Sequence, residues 1–257
     1  MHPPSPAPNP RALRLAPDAE DPAGQATLQA LADARRLHRW QFGVVRPWLQ
    51  APVLEVGAGL GNISQELVAT GQPCYLSDLR PSYLTALEAR FASAQNVQGM
   101  LRLDLMDPAF AQTYRHVLGQ MGTVFSLNVI EHIADDVAAL GRMARLLRPG
   151  GYVVSLAPAY PALYNRLDAA LGHHRRYTRG SLATAHLQAG LHVRRSYYFN
   201  AAGLPGWLWA GWKRAEVLPA GPVRLFNALV PAFRMADAVL LGQVGLSAVV
   251  VAQKPAG

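Results

Sequence analysis

The chain has 257 residues, 51% of them hydrophobic, and a formal net charge of +8. That length buries a full core as one domain with residues to spare, and the composition excludes a disordered chain. The single cysteine, Cys74, excludes a disulfide framework within the chain and points to a reducing, cytoplasmic setting. Nearly all the positive charge is arginine, the lysines being Lys213 and Lys254. No basic run with interleaved aromatics occurs, so nucleic acid is not an expected partner, while an anionic membrane or a phosphorylated substrate fits the charge.

Residues 1–24 are proline-rich, lack the apolar stretch of a secretory signal and read as a disordered tail. Residues 25–257 then form one domain. Gln25 to Leu49 carries apolar Leu28, Leu31, Leu37, Trp40 and Val44 at helical spacing, with Pro47 ending the helix. Val53 onward is a short apolar run, the mark of a buried parallel strand. A glycine turn follows, and Asn62 with Gln65 has capping-box spacing for a helix to Ala69. Pro73 to Ser77 reads as a second strand, and Pro81 opens a helix to Phe91. Val97 to Leu103 and Thr123 to Leu127 are the next strands, Asp135 to Leu147 an amphipathic helix, and Tyr152 to Leu156 a fifth strand after the turn Pro149-Gly150-Gly151. A helix over Gly180 to Ala189 and a strand over Leu191 to Tyr198 precede a Trp-, Leu- and Pro-rich stretch. That stretch reads as a helical insertion or lid over residues 199–245, and Ser247 to Ala252 is the last strand. The alternation predicts an α/β fold: a doubly wound sheet of about seven strands, mostly parallel, with a helical insertion before the last strand. The apolar segment Ala238 to Ala252 falls short of the roughly 20 residues that span a membrane.

The glycine turn carries the most information. Glu55-Val-Gly57-Ala58-Gly59-Leu-Gly61 places Asn62 where a dinucleotide fingerprint needs its third glycine. In open parallel sheets ligands bind beyond the carboxyl ends of the strands. Those ends bear Asp78 after the second strand, Asp104 in DLMD after the third and Asn128 in FSLNVIEHI after the fourth. Asp78 is placed to accept from ribose hydroxyls or, alternatively, to cap the helix at Pro81. Asp104 is an adenine contact or an ordinary loop acid.

Together with LLRPGG (Leu146 to Gly151), these blocks resemble the class I S-adenosylmethionine (SAM)-dependent methyltransferases over about residues 50 to 158. The resemblance implies a Rossmann-like sheet whose last strand is antiparallel, and SAM as cofactor. Glu55, Gly57, Ala58, Gly59, Gly61 and Asn62 would surround its methionine end, Asp78 its ribose, and Leu79, Asp104 and Leu105 its adenine. Asn128 would lie near the sulfonium, with Glu131 and His132 matching an E-H pair whose ligand role is open. RRLHRW (Arg35 to Trp40), the segment Ala157 to Thr178, YYFNAAGLPGW (Tyr197 to Trp207) and GLSAVVVAQK (Gly245 to Lys254) are similar to one bacterial subfamily often encoded with sugar transferases at the membrane surface. The implied activity is methyl transfer to a small-molecule, glycan or lipid-linked acceptor by in-line displacement. A catalytically inactive SAM-fold scaffold is the alternative.

The acceptor site is expected in the polar segment after the fifth strand. His173, His174 and His132 are the candidate bases, each otherwise structural. Tyr160, Tyr164, Tyr177 and Trp40 are candidate substrate contacts, Trp40 otherwise belonging to the core. Arg175 and Arg176 would grip a phosphate or carboxylate or, alternatively, form a solvated pair. No metal is expected, since no ligand spacing stands out. Trp207, Trp209 and Trp212 beside Lys213 and Arg214 fit either peripheral membrane contact or a lid or dimer surface. The acceptor and the oligomeric state are not legible.

Overall fold

The computed structural model describes residues 21–212 and 220–256. The expected tail over residues 1–20, and Lys213 with Arg214, lie outside the described residues. Seven strands form one sheet: β1 (Val53–Val56), β2 (Cys74–Asp78), β3 (Val97–Arg102), β4 (Met121–Leu127), β5 (Leu147–Pro158), β6 (His192–Phe199) and β7 (Ser247–Gln253). Their order is β3-β2-β1-β4-β5-β7-β6. The first five run parallel, and β7 is antiparallel to both β5 and β6. The Rossmann-like expectation with an antiparallel last strand is met. Strand order reverses between β1 and β4, which opens a crevice beyond their carboxyl ends.

Both faces of the sheet are covered, because alternate residues of each buried strand point to opposite sides. On one side Leu54, Val124 and Val153 pack with α5 (Phe110–Thr113), α6 (Asp136–Leu146) and α8 (Arg179–Gln188). On the other, Val53, Leu76, Phe125 and Val154 pack with α2 (Arg35–Val45), α3 (Ser64–Val68), α4 (Pro81–Phe91) and α10 (Ala220–Leu240). Local chemistry starts several helices. Pro81 sits in the first turn of α4, the Asp135 carboxylate accepts from the Ala138 N–H at α6, and Thr178 and Ser181 cap α8 reciprocally.

Several boundaries differ from expectation. The single helix over Gln25 to Leu49 is two helices, α1 (Pro22–Leu31) and α2, followed by a 3-10 turn at Arg46–Trp48. Pro22 to Gly24, expected in the tail, are helical because Asp21 caps α1 through the Gly24 N–H. The start of α2 has no cap of its own. Asn227 of α10 supplies one, its Oδ1 accepting from the Arg36 and Leu37 N–H groups at 3.0 and 3.1 Å. The Asn62/Gln65 capping box does not form: the Asn62 amide donates to the Leu28 carbonyl and the Gln65 amide to the Asn62 carbonyl. The Pro149-Gly150-Gly151 turn is absorbed into β5, whose pairing with β4 shifts register between Met121 and Thr123. Two short helices, α5 and α7 (Arg166–Ala170), went unanticipated. Between β6 and β7 lie α9 (Gly203–Trp212) and α10.

Candidate active site

The turn after β1 needs left-handed backbone. Gly57, Gly59 and Gly61 have φ of 74°, 54° and 77°, which favours glycine. A Cβ on Gly57 would stand 2.4 Å from Val129 Cγ2, and one on Gly61 would stand 2.7 Å from Phe91 Cε2. The turn therefore presents bare backbone at the mouth of the crevice, with the loop after β4 pressed against it. Its amides are tied to β2: Gly57 and Ala58 N–H both donate to the Ser77 carbonyl at 2.9 Å, and Gly59 N–H donates to Asp78 Oδ2 at 2.9 Å. Asp78 Oδ1 accepts from Arg80 N–H at 3.0 Å. A carboxylate offers about four lone-pair sites, so Asp78 keeps capacity for two further donors.

Two acids lie beneath this turn. Glu55 is buried, its Oε2 has no hydrogen-bond partner, and desolvation pushes it up to about 7, with the nearby Ser64 hydroxyl opposing and Asp78 adding to the rise. Burial also raises Asp78, offset by the Arg80 and Gly59 N–H groups and the Arg80 charge. A negatively polarised floor under bare backbone suits a cationic ligand. Leu79 is half-buried, as is Asp104, whose Oδ1 accepts from the Met106 N–H; Leu105 is buried. Asn128 is exposed at the end of β4 with φ 57°. Helix α1 leans over the turn: Leu28 Cδ1 lies 2.9 Å from where a Gly59 Cβ would be, and the Asp21 carboxylate meets Arg80 at 3.6 Å and the Tyr83 hydroxyl at 3.3 Å.

A second cluster adjoins the crevice. The 3-10 turn Ile130–His132 leaves β4 directly, and His132 is held well below the imidazole range, to about 3, by desolvation and then by the charges of His173 and Arg80. Glu131 is fully buried, and neither carboxylate oxygen has a partner. Desolvation raises it to about 7 against the pull of His173. His173 sits beside it: Nδ1 is 2.8 Å from Asp168 Oδ1, and Nε2 is 4.0 Å from Glu131 Oε1. Asp168, fully buried, is the hub of this cluster. It accepts from the Arg176 Nε–H at 2.9 Å on each oxygen and from the Asn165 N–H at the start of α7. The Asp168 carboxylate beside Nδ1 favours the tautomer protonated there, and Nε2 is the ring nitrogen on the Glu131 side.

Other expected contacts take internal roles. Arg176 is buried, donates to Asp168 and the Ala159 carbonyl, and lies 4.1 Å from the Trp207 ring centroid. That places it in the packing and not on a surface that grips an anion. Arg175 pairs with Asp136 at 3.2 Å and also donates to the Ala134 carbonyl. The Tyr177 hydroxyl donates to Asp136 at 2.8 Å in the interior. Trp40 is core, its ring 4.6 Å from that of Phe199. Tyr160 is half-buried and stacks on Tyr198, while exposed Tyr164 donates to the His173 carbonyl at 2.7 Å. His174, half-buried, donates its N–H to the Glu131 carbonyl. A shallow surface depression between α4 and β3 is lined by Glu88, Phe91 and Met100 among others.

Sheet order, switch-point crevice and glycine turn define the fold of the class I SAM-dependent methyltransferases. Residues 54–153, from β1 into β5, match the family model described as a methyltransferase domain. It is 27% identical over 101 residues to a ubiquinone biosynthesis O-methyltransferase of Xanthomonas oryzae pv. oryzae, covering 39% of this chain and 40% of that protein. The chain spans under half the length of the curated relatives it matches, from 4% of a reducing polyketide synthase of Preussia isomera to 43% of a mycobacterial protein. Among solved structures, a chain from the complex of the Haloferax volcanii Trm112 methyltransferase activator with a methyltransferase is similar at TM-score 0.60 and 18% identity, over 91% of this chain and 95% of that one. Haemonchus contortus phosphoethanolamine N-methyltransferase 2, solved with SAM, is similar at TM-score 0.59 and 15% identity, over 90% of this chain and 56% of that one.

Proposed function

We propose that the chain is a SAM-dependent methyltransferase acting on a small molecule, glycan or lipid-linked intermediate at the cytoplasmic face of a membrane. The observation that carries the reading is Asp78. It is a buried carboxylate with spare acceptor capacity, facing a turn in which three left-handed glycines leave backbone bare. SAM fits this cradle by charge: Glu55 and Asp78 answer its cationic end and its ribose hydroxyls, and the glycines leave room for the methionine portion. When bound, SAM supplies a sulfonium methyl and its leaving group. Leu79, Asp104 and Leu105 would border the adenine and Asn128 the sulfonium, while Asn62 and Ala58 would hold the turn in shape. The chain's own task is alignment, worth about 7–11 kcal/mol, and acceptor activation. Glu131, His132 and His173 form the activating centre beside the crevice, with Asp168 orienting His173.

Calorimetric titration with S-adenosylhomocysteine tests this reading and has a signed pH dependence. Glu55 sits near 7 in the free protein, and a cation beside it favours the ionised form. Binding therefore releases a proton below pH 7. Affinity rises with pH up to about 7 by as much as about tenfold per unit and is flat above it. Glu55→Gln flattens the profile. No saturable binding at pH 8 would end the proposal.

The membrane part rests on α9 and α10. Val223, Phe226, Val230 and Phe233 of α10 face the core, yet Leu225, Leu229, Met235 and Val239 are exposed on the same helix. Trp209 and Trp212 are exposed on α9, whereas Trp207 caps Arg176. No helix among the described residues is long and apolar enough to cross a membrane. Arg224 and Arg234 are also exposed on α10, so apolar surface beside positive charge suits an anionic interface. The protein is expected to co-float with phosphatidylglycerol vesicles at low salt, and Leu225→Glu with Val239→Glu to abolish this. Absence of flotation would remove the membrane from the reading.

A further inference from the structure

We propose that Glu131, His132 and His173 form a divalent metal site, which deepens the proposed function by giving its acceptor-activating centre a cation. One ligand atom from each residue lies within 4.8 Å of the other two, and the two imidazole rings meet edge to face with centroids 4.7 Å apart. The central observation is the fully buried Glu131, both of whose oxygens lack any partner. A buried carboxylate left alone costs several kcal/mol. Its neighbour His173 Nε2 stands 4.0 Å from Oε1, too far for a hydrogen bond. An ion held tetrahedrally at about 2.0–2.2 Å from each donor sets the donors about 3.4 Å apart, so a pair as wide as 4.8 Å closes by about 1.4 Å, shared between two side chains.

The surroundings of His173 support the same assignment. Metal-binding imidazoles commonly donate their second N–H to a carboxylate, which fixes the tautomer and strengthens the ligand. Asp168 accepts at 2.8 Å from Nδ1 and is itself clamped on both oxygens by Arg176. Nε2 is thereby left as an electron-pair donor facing Glu131. Two imidazoles and one carboxylate favour an ion of the zinc, cobalt or iron type over magnesium or calcium. Three protein ligands leave open positions. His132 is the one ligand of the three that is not fully buried, so an open position there is reachable from outside. Sequence spacing gave no hint of this site, because α6 and β5 separate the Glu131-His132 pair from His173.

Cobalt titration of the chelator-treated full chain is the test, read by visible absorption and by metal content after gel filtration. One Co²⁺ per chain with a d–d band, displaced by Zn²⁺, is expected. His132→Ala and His173→Ala should abolish the band, Asp168→Asn should weaken binding by about 10–100-fold, and His192→Ala, on the exposed start of β6, should leave it intact. Glu131→Gln, close in shape, guards against loss of fold and is checked by circular dichroism. A folded wild-type chain without a stoichiometric band, or a band that survives in both histidine variants, overturns the site. S-adenosylhomocysteine binding is measured on the same metal-free samples. Failure to take up cobalt with nucleoside binding intact refutes this inference alone, whereas absence of nucleoside binding refutes the methyltransferase reading.

Discussion

Asp168→Ala is expected to lower the stability of the metal-free protein by about 3–5 kcal/mol, the range for breaking a buried ion pair by deleting one partner. For a domain of this size that is a fall in melting temperature of roughly 6–20 °C. The magnitude follows from what is left behind. Arg176 is 4% exposed and directs its Nε–H at both Asp168 oxygens. Without the carboxylate its charge stays in the interior with the Ala159 carbonyl and the Trp207 face as company. Two further contacts go with it: the Asn165 N–H loses its acceptor at the start of α7, and His173 Nδ1 loses its orienting partner. Arg176→Met combined with Asp168→Asn removes both charges and keeps most of the volume. That pair should recover at least half of the loss, since paired removal is far milder than leaving one charge alone. If Asp168→Ala melts within about 1 kcal/mol of wild type in differential scanning calorimetry, the ion pair is not the anchor of the segment after β5.

The cost of that anchor makes sense when set against its position. The chain from Ala159 to Tyr177 leaves the sheet and returns to it, the Tyr177 N–H donating to the Pro158 carbonyl and the Tyr160 N–H to the Tyr177 carbonyl. Leu167 and Tyr177 pack this excursion against the core, and Asp168 with Arg176 fastens it from inside. His173, His174 and Arg175 ride on the fastened segment and meet Glu131 and Asp136 from the turn after β4. Stability of the loop and placement of the chemistry are therefore carried by one carboxylate.

What was legible in the sequence was local. The glycine turn, Pro81 at the start of α4 and Asp135 at the start of α6 each act within a few residues, so their spacing alone announces them; Asp78 reaches back 19 residues to Gly59, and its place at the end of a predicted strand marked it. The parallel order of the sheet followed from the alternation of strand and helix. What was not legible joins distant segments. Asn227 caps α2 from far along the chain, and Leu28 covers Gly59 from a helix expected to begin later. Adjacent Arg175 and Arg176 look alike in sequence, yet one pairs near the surface with Asp136 and the other is buried on Asp168. Which neighbour each meets is decided by the path of the loop, and no residue pattern encodes that path. The pairing of His173 with Glu131 was hidden for the same reason.

Asp78→Ala is expected to weaken S-adenosylhomocysteine binding by about a hundredfold or more while leaving the chain folded. Two hydroxyls donating to an ionised acceptor are worth about 1.5 kcal/mol each at the low end, and about 2.7 kcal/mol is a hundredfold in Kd. The Gly59 N–H, now held by Oδ2 at 2.9 Å, is also released, so the turn loses its tie to β2 as the ribose loses its acceptor. Asp78→Asn separates these effects. Its single oxygen can serve the Gly59 or the Arg80 N–H but not both, and its NH₂ meets the other donor. Binding should fall by an intermediate factor, in the range of tenfold. Folding is affected little, because burial already raises the Asp78 pKa, and a carboxylate raised in the folded state contributes no stability above its ordinary pKa. Removing its charge at pH 8 offsets the lost hydrogen bonds, and melting should stay within about 1 kcal/mol of wild type, far from the large loss at Asp168. The cobalt band of the Glu131, His132 and His173 cluster should be unchanged in both variants, since none of its ligand atoms contacts Asp78. Wild-type affinity in Asp78→Ala would mean that the ligand does not lie over β2, and the crevice would need a different occupant.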